Sequence, residues 1–277
     1  MAVFRVSREG GAGLPYSVTR RVAWRSPTHG VRCAAHDNRW RDLLAAIALV
    51  LRPGAAFSHQ TAAQLLGLPL PAKFEDMQPV HVTVPVGASR GTRQQVVWHR
   101  APISNRVITA DDLPITDAGR TWLDLGPQLE LPRLVAVTDV ILRRRLCSQL
   151  VVPPRARGAQ RLRKAAELAD PRSCSPQESE LRVGLILAGL PKPEVNFDVI
   201  VHGEWIGQGD LVWPDYLLYV EYDGGHHADP RQRHQDAQTR NRLAQLGWRV
   251  RVVTSAMRTH DVVGMVTDDL RAAGWRG

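Results

Sequence analysis

A chain of 277 residues with 44% hydrophobic and 23% charged residues falls in the globular range, has length for two domains with separate cores, and is too apolar for intrinsic disorder. Its net charge of +9 suits a polyanionic partner such as nucleic acid. Cys33, Cys147 and Cys174 are odd in number and never spaced as C-x-x-C, so neither a disulfide framework nor a structural zinc site is indicated, and a cytoplasmic location is expected.

The first thirty residues carry arginines throughout and no apolar signal core, and the apolar stretch at 47–51 is far short of the ~20 residues a membrane span needs. No membrane role is expected. A short basic segment at 18–24 ends at Ser26-Pro27 and His29-Gly30 and reads as the remnant of a small DNA-binding helical unit. Apolar residues at 40, 43, 44, 47, 50 and 51 recur at helical spacing until Pro53-Gly54. Ser58 is placed to cap a second helix through Leu66, closed by Gly67 and Pro69. Segments 81–85 and 94–99 read as strands, joined as a hairpin through 87–91.

Two further helices are predicted at 116–125 and 132–146, the second with a proline in its first turn and Arg143, Arg144 and Arg145 at its end, where cations favour the helix dipole. Pro153-Pro154 breaks the chain before a basic helical segment at about 155–169. These marks divide the sequence into an N-terminal α+β domain (1–150), a basic linker or helix (151–172) and a C-terminal domain (173–277). The last third reads helix (176–188), strands (195–201, 205–212, 217–223), helix (231–246), strand (248–253) and helix (261–272). That order predicts an α/β domain with a mixed sheet covered on both faces.

Between Arg133 and Arg172 stand ten basic residues against three acids, which accounts for most of the net +9. Either this run is a solvated helical face or it contacts phosphates, with Arg143, Arg144, Arg145, Arg155, Arg157, Arg161, Arg163 and Lys164 as the contacts. Lys73, Lys164 and Lys192 are the only lysines.

The segment from Gly209 to His227 carries the densest chemistry. Trp213-Pro214-Asp215-Tyr216 reads as a turn between strands, because proline cannot donate to a ladder and aspartate favours turns. A turn centred between 215 and 216 sets Asp210 across from Glu221, with Asp223 on the same face and Leu218, Val220 and Tyr222 on the other. Carboxylates so crowded destabilise a sheet unless something neutralises them: a divalent cation, or arginines from the neighbouring helix. Such hard oxygen donors suit Mg²⁺ or Mn²⁺ and hydrolysis of a phosphodiester. His226 and His227 follow directly, where one could act in the reaction. Glu178 fits a capping box with Ser175 and Pro176, yet it also leads the stripe Leu181, Leu185, Ala188 that should face the sheet, so it could equally complete the metal shell. Asp236 and Arg240 stand four apart on the next helix, as an ion pair or as residues that support the histidines and bind phosphate.

These pieces, from Ser-Pro-Gln-Glu178 through Asp210-Leu-Val-Trp-Pro, Val-Glu221-Tyr-Asp223-Gly, His226-His227, and Asp236 with Arg240 to Gly247-Trp248-Arg-Val-Arg-Val, resemble very-short-patch-repair endonuclease domains, a branch of the PD-(D/E)xK restriction-endonuclease-like fold. The resemblance spans roughly eighty residues. It implies a Mg²⁺-dependent endodeoxyribonuclease in which Asp210, Glu221 and Glu178 bind metal and a histidine at 226 or 227 assists water attack or leaving-group protonation. Asp223 stands where the wider superfamily carries its lysine, and Lys192, the one lysine of this domain, falls in a loop before the first strand.

In the N-terminal half, Ser26-Pro-Thr-His-Gly-Val-Arg32, the segment from Phe57-Ser-His to Pro69, His81-Val-Thr-Val-Pro85 and Pro114-Ile-Thr-Asp-Ala-Gly-Arg120-Thr-Trp-Leu-Asp124 are similar to AbiE-type antitoxin modules with a shortened winged-helix start. That similarity implies DNA binding or regulation, with His59, Arg120 and Asp124 in structural hydrogen bonds. The whole-chain expectations are a DNA partner, a homodimer as one assembly, and a role in repair or defence. The competing expectation is an antitoxin-like transcriptional regulator with a degenerate, inactive nuclease lobe.

Overall fold

The computed structural model describes residues 3–6, 10–11, 14–19, 24–34, 39–74, 79–224 and 230–277. Among them the chain is a mixed α/β protein that divides into two compact units, Met1–Gln128 and Leu129–Gly277. No helix of the described residues is long and apolar enough to cross a membrane.

In the first unit the elements run β1 (Val3–Arg5), β2 (Gly10–Gly11), β3 (Leu14–Pro15), α1 (Tyr16–Thr19), β4 (Trp24–Arg25), β5 (Val31–Ala34), α2 (Arg39–Ala48), β6 (Ala56–Phe57), α3 (His59–Leu65), β7 (Val80–Val84), β8 (Val96–Arg100), β9 (Val107–Ala110), β10 (Leu113–Thr116) and α4 (Ala118–Leu125). Its main sheet has the order β8-β7-β6-β10-β9. Leu43, Leu44 and Ile47 of α2 bury against Val80, Val82 and Val84 of β7, as their helical and alternating spacings dictate. The expected hairpin at 81–99 is not formed: β7 and β8 pair in parallel, with His81 beside Val97 and Thr83 beside His99. A segment of eleven residues, 85–95, carries the chain back to the start of the next strand, a length close to what a parallel crossover needs. Ser58 stands at the N-cap of α3 but makes no side-chain cap bond. Its hydroxyl is taken up by the sheet, where Thr83 donates to it at 2.8 Å. Of the basic segment at 18–24, residues 20–23 lie outside the described residues.

The second unit contains α5 (Leu131–Arg143), α6 (Ala159–Leu168), α7 (Pro176–Leu187), β11 (Glu194–Val201), β12 (Glu204–Trp213), β13 (Leu218–Asp223), α8 (Pro230–Gln245), β14 (Arg249–Thr254) and α9 (Thr259–Ala272). Packing divides the chain before α5 and not at 151–172, because α5 is locked to α7 by a buried ion pair. The Arg182 guanidinium donates to Asp139 at 2.7 Å, with both side chains 1% exposed or less. The other Asp139 oxygen accepts from the Asp170 amide at 2.7 Å. Burial pushes the Asp139 carboxyl up while Arg182 pulls it back, so the charges persist only as a pair.

The sheet has the order β11-β12-β13-β14, antiparallel through β13 and parallel between β13 and β14. Leu181 and Leu185 of α7 and Val262, Val266 and Leu270 of α9 bury against Leu211, Trp213, Leu218 and Val220. On the opposite face Leu243 of α8 joins Val212, Tyr219 and Trp248. A sheet clothed on both faces was the expectation for this region.

Candidate metal and nucleic-acid site

The geometry starts from the turn after β12. Pro214–Tyr216 form one 3-10 turn and Leu217 takes a left-handed φ of 49°, which reverses the chain in the predicted place. The resulting register pairs Leu211 with Val220, Val212 with Tyr219 and Trp213 with Leu218. Continued by one residue it sets Asp210 opposite Glu221, on the face where Val212 and Tyr219 meet α8.

Glu178, Asp210, Glu221 and Asp223 line one open cleft of about 590 Å³ together with Gln208, Tyr222, Arg233, Asp236 and Arg240. The Tyr222 amide donates to Asp210 Oδ2 at 2.6 Å. Burial, with Glu178 and Glu221 nearby, pushes the Asp210 carboxyl up to about 6 against that hydrogen bond. Tyr219 donates its hydroxyl to the Gln208 carbonyl at 2.6 Å and to Glu221 Oε1 at 3.2 Å, and burial followed by the Glu221 charge raises its phenol. Gly209 makes room for this, since a Cβ there would sit 2.7 Å from the Tyr219 ring.

Arg240 donates through Nε to Glu221 Oε2 at 2.7 Å. Arg240 thus reaches from α8 to the sheet, and Asp236 lines the same cleft. Glu178 performs the capping task and faces the cleft as well: its amide donates to Ser175 Oγ at 3.2 Å, and its Oε2 accepts from the Cys174 amide at 2.9 Å and from Asn196 at 3.1 Å. Glu180 is engaged elsewhere, by Arg133 at 2.7 Å. His226 and His227 lie outside the described residues. Lys192 is exposed in the loop before β11.

These oxygens fit a hard divalent ion in kind. Mg²⁺ takes one or two carboxylates and keeps waters or substrate oxygens in its remaining positions, so a cleft with Asp210 and Glu178 at its wall meets the requirement. The oxygens of 178, 210 and 221 do not close to within 4.8 Å of one another as a set, and Glu221 is drawn towards Arg240.

Of the basic residues expected to contact phosphates, Arg143, Arg144, Arg145, Arg155, Arg157 and Arg163 are exposed. Arg143 donates to the Ser173 carbonyl, Arg161 to the Leu129 carbonyl at 2.8 Å, and Lys164 pairs with Glu167 at 2.8 Å. Part of the run therefore ties the helices of this unit together and part faces outward.

The sequence reading did not foresee a cluster in the first unit. His59, His81 and His99 stack, with ring centroids 3.6 Å apart for 59 and 99 and 5.2 Å for 81 and 99. His81 Nδ1 and His99 Nε2 are 3.0 Å apart. Burial, then the neighbouring histidines, depresses His59 to about 2, and burial followed by His81 depresses His99 to about 4, so these rings are neutral near pH ~7. Asp124 Oδ2 lies 3.6 Å from His59 Nδ1, and burial outweighs the paired Arg120 to raise this carboxyl to about 6. The available signal was alternation: His81 and Thr83 share a strand face with His99 once the two strands are set in parallel.

No family model matches the chain, and no solved structure matches it. It is similar to two proteins of Mycobacterium tuberculosis, one from strain CDC 1551 / Oshkosh and one from strain H37Rv, both named as uncharacterized. Each is 29% identical over 245 residues, covering 86% of this chain and 84% of the relative. The similarity therefore runs through both units and carries no activity with it.

Proposed function

We propose that the chain is a Mg²⁺- or Mn²⁺-dependent DNA endonuclease of restriction-endonuclease-like architecture, joined to an antitoxin-like module that binds DNA or regulates the nuclease. The observation that carries this reading is the register that brings Asp210 and Glu221 to one sheet face, in a cleft shared with Glu178 and Asp223. A bound ion would supply Lewis-acid polarisation of a phosphoryl oxygen and activation of water. Asp210 and Glu178 hold it. Tyr219 and Arg240 fix the Glu221 carboxylate at the rim, and Arg233 offers the scissile phosphate a cation. Within this proposal His226 or His227 supplies the proton chemistry that the missing lysine would otherwise perform. The exposed arginines at 144, 145, 155, 157 and 163 retain the DNA backbone.

The Glu221–Arg240 pair favours a second reading, in which arginine and not a metal neutralises the second acid and the lobe binds DNA without cutting it. One experiment separates the two. Supercoiled plasmid and single-stranded DNA are incubated with the chain across a Mg²⁺ and Mn²⁺ series. Cleavage abolished by Asp210→Ala and by Glu221→Ala supports the nuclease; steeply salt-dependent binding without cleavage in any divalent metal supports the regulator.

A further inference from the structure

The three histidines belong to the first unit and share no residue with the carboxylate cleft. Each offers a ring nitrogen, and the three nitrogens all lie within 4.8 Å of one another, the one set of three or more potential ligands so gathered among the described residues. The fold assembles them from three elements. His81 and His99 come from adjacent parallel strands on one sheet face, and His59 opens α3 immediately after Ser58, whose hydroxyl is bonded to Thr83 of that face. His59 takes a left-handed φ of 54°, a conformation that is strained for an L-residue. That backbone turn carries its ring onto the strand histidines. Strain of this kind persists where the surroundings impose it, and it concentrates at ligand sites.

We propose that His59, His81 and His99 form a transition-metal site, for Zn²⁺ or an ion of similar preference. Imidazole donors select zinc, copper, nickel and iron over magnesium, which separates this site from the carboxylate cleft in its chemistry. His81 Nδ1 and His99 Nε2, 3.0 Å apart, share a proton in the metal-free chain. An ion held tetrahedrally at about 2.0–2.1 Å per nitrogen would take the place of that hydrogen bond once the two atoms separate by a few tenths of an ångström and the donor ring carries its proton on its other nitrogen, so that both rings stay neutral. The His59 ring turns out of its stack on His99 to direct a lone pair at the same point. His59 Nδ1 faces Ser58 Oγ at 3.0 Å and Asp124 Oδ2 at 3.6 Å, so Nε2 is its coordinating atom and Asp124, itself gripped by Arg120, is the carboxylate behind it. His81 and His99 are half-buried, which leaves the fourth position open to water or a further ligand.

The test uses the untagged full chain, freed of metal and titrated with Co²⁺ while visible absorption is recorded. One equivalent producing the ligand-field bands of a four- or five-coordinate nitrogen site, displaced by Zn²⁺, is the expected result. His81→Gln and His99→Gln abolish the bands with the fold retained by circular dichroism, and Asp124→Asn weakens binding by about 10–100-fold. Asp210→Ala leaves the titration unchanged. The proposal is overturned by a folded wild-type chain that gives no stoichiometric bands, or by bands that survive both glutamine variants. It is equally overturned if the bands disappear with Asp210→Ala, because the ion then belongs to the other cleft.

Discussion

The two units gather ionisable side chains under burial and resolve the cost in opposite ways. The first stacks three imidazoles that stay neutral, with burial holding His59 near 2 and His99 near 4. The second keeps its charges and supplies partners: Arg182 for Asp139, Arg240 for Glu221, and a backbone amide for Asp210. Neutral nitrogen and charged oxygen are different coordination chemistries, so one chain presents a soft-leaning and a hard donor set on separate sheets. The comparison also locates stored instability. Burial raises both carboxyls, but Asp139 meets an arginine on one oxygen and an amide on the other, whereas Asp210 meets one backbone amide and two neighbouring carboxylates that push it further up.

The largest effect should come from breaking the compensated pair. Arg182→Ala or Asp139→Ala leaves one charge buried without its partner and should lower stability by about 3–5 kcal/mol in urea unfolding. The joint replacement Asp139→Leu with Arg182→Met should recover most of that loss. Equal damage from the double and single variants would show that shape and not charge holds α5 to α7.

Asp210→Asn should act in the opposite direction. The carboxyl titrates at about 6 in the fold against an ordinary 3.8, so its contribution to stability is fully present below its unfolded pKa and is lost as pH rises through the folded one. The asparagine variant avoids that loss. In metal-free buffer it should match wild type near pH ~4 and exceed it by about 3 kcal/mol above pH ~7, a two-unit shift at about 1.4 kcal/mol per unit. Added Mg²⁺ should stabilise wild type and not the variant. A variant less stable at every pH would remove Asp210 from the class of strained site residues.

Most of the second unit was legible because local rules and global packing agree there. From α7 onward the 3.6-residue and two-residue periods placed the helices and strands within a residue or two, while α5 ends three residues before the expected 146 and α6 begins four after the expected 155; the Pro214-Asp215 turn fixed a register that the side-chain alternation of Leu218, Val220 and Tyr222 also required. Strand direction in the first unit was not legible, because alternation is the same in parallel and antiparallel pairs. The eleven-residue connection at 85–95 was the one cue against a hairpin. With direction misread, the register that sets Thr83 beside His99 and lets His59 close onto both strand histidines was not available, and the histidine cluster went unseen. The Arg182–Asp139 pair spans 43 positions, beyond any local pattern, and for that reason the boundary expected at 151–172 falls at 128 and 129.

Acid should therefore distinguish the units. Histidines whose folded pKa is depressed contribute stability that is present above the unfolded value of about 6.5 and lost as pH falls towards the folded one. For His99 that window runs from ~6.5 down to about 4, and for His59 it extends lower. Amide exchange in β7 and β8 should accelerate between pH ~6.5 and ~4, after correction for intrinsic rates, and His99→Gln should flatten the trend. Over the same interval the Asp210 contribution rises as its carboxyl protonates. A uniform response across both sheets would mean that the trio is not held neutral by the fold.

The smallest expected change in stability decides the role of Glu178, which the sequence left divided between cap and ligand. Both tasks are visible at once: Oε2 accepts from the Cys174 amide and Asn196, and the carboxylate lines the cleft. Glu178→Gln keeps an acceptor oxygen for the amide and removes the charge. If the residue serves only the helix, stability falls by no more than a few tenths of a kcal/mol from the helix-dipole contribution, and cleavage is unaffected. If it also holds Mg²⁺, stability changes as little, yet cleavage falls and the Mg²⁺ concentration needed for half-maximal rate rises. Ser175→Ala supplies the contrast, since it removes the side-chain acceptor for the Glu178 amide at a cost of about 1 kcal/mol while leaving the carboxylate in place. A metal requirement that shifts with the glutamine variant and not with the alanine one assigns Glu178 to the ion; the same shift in both assigns it to the helix end.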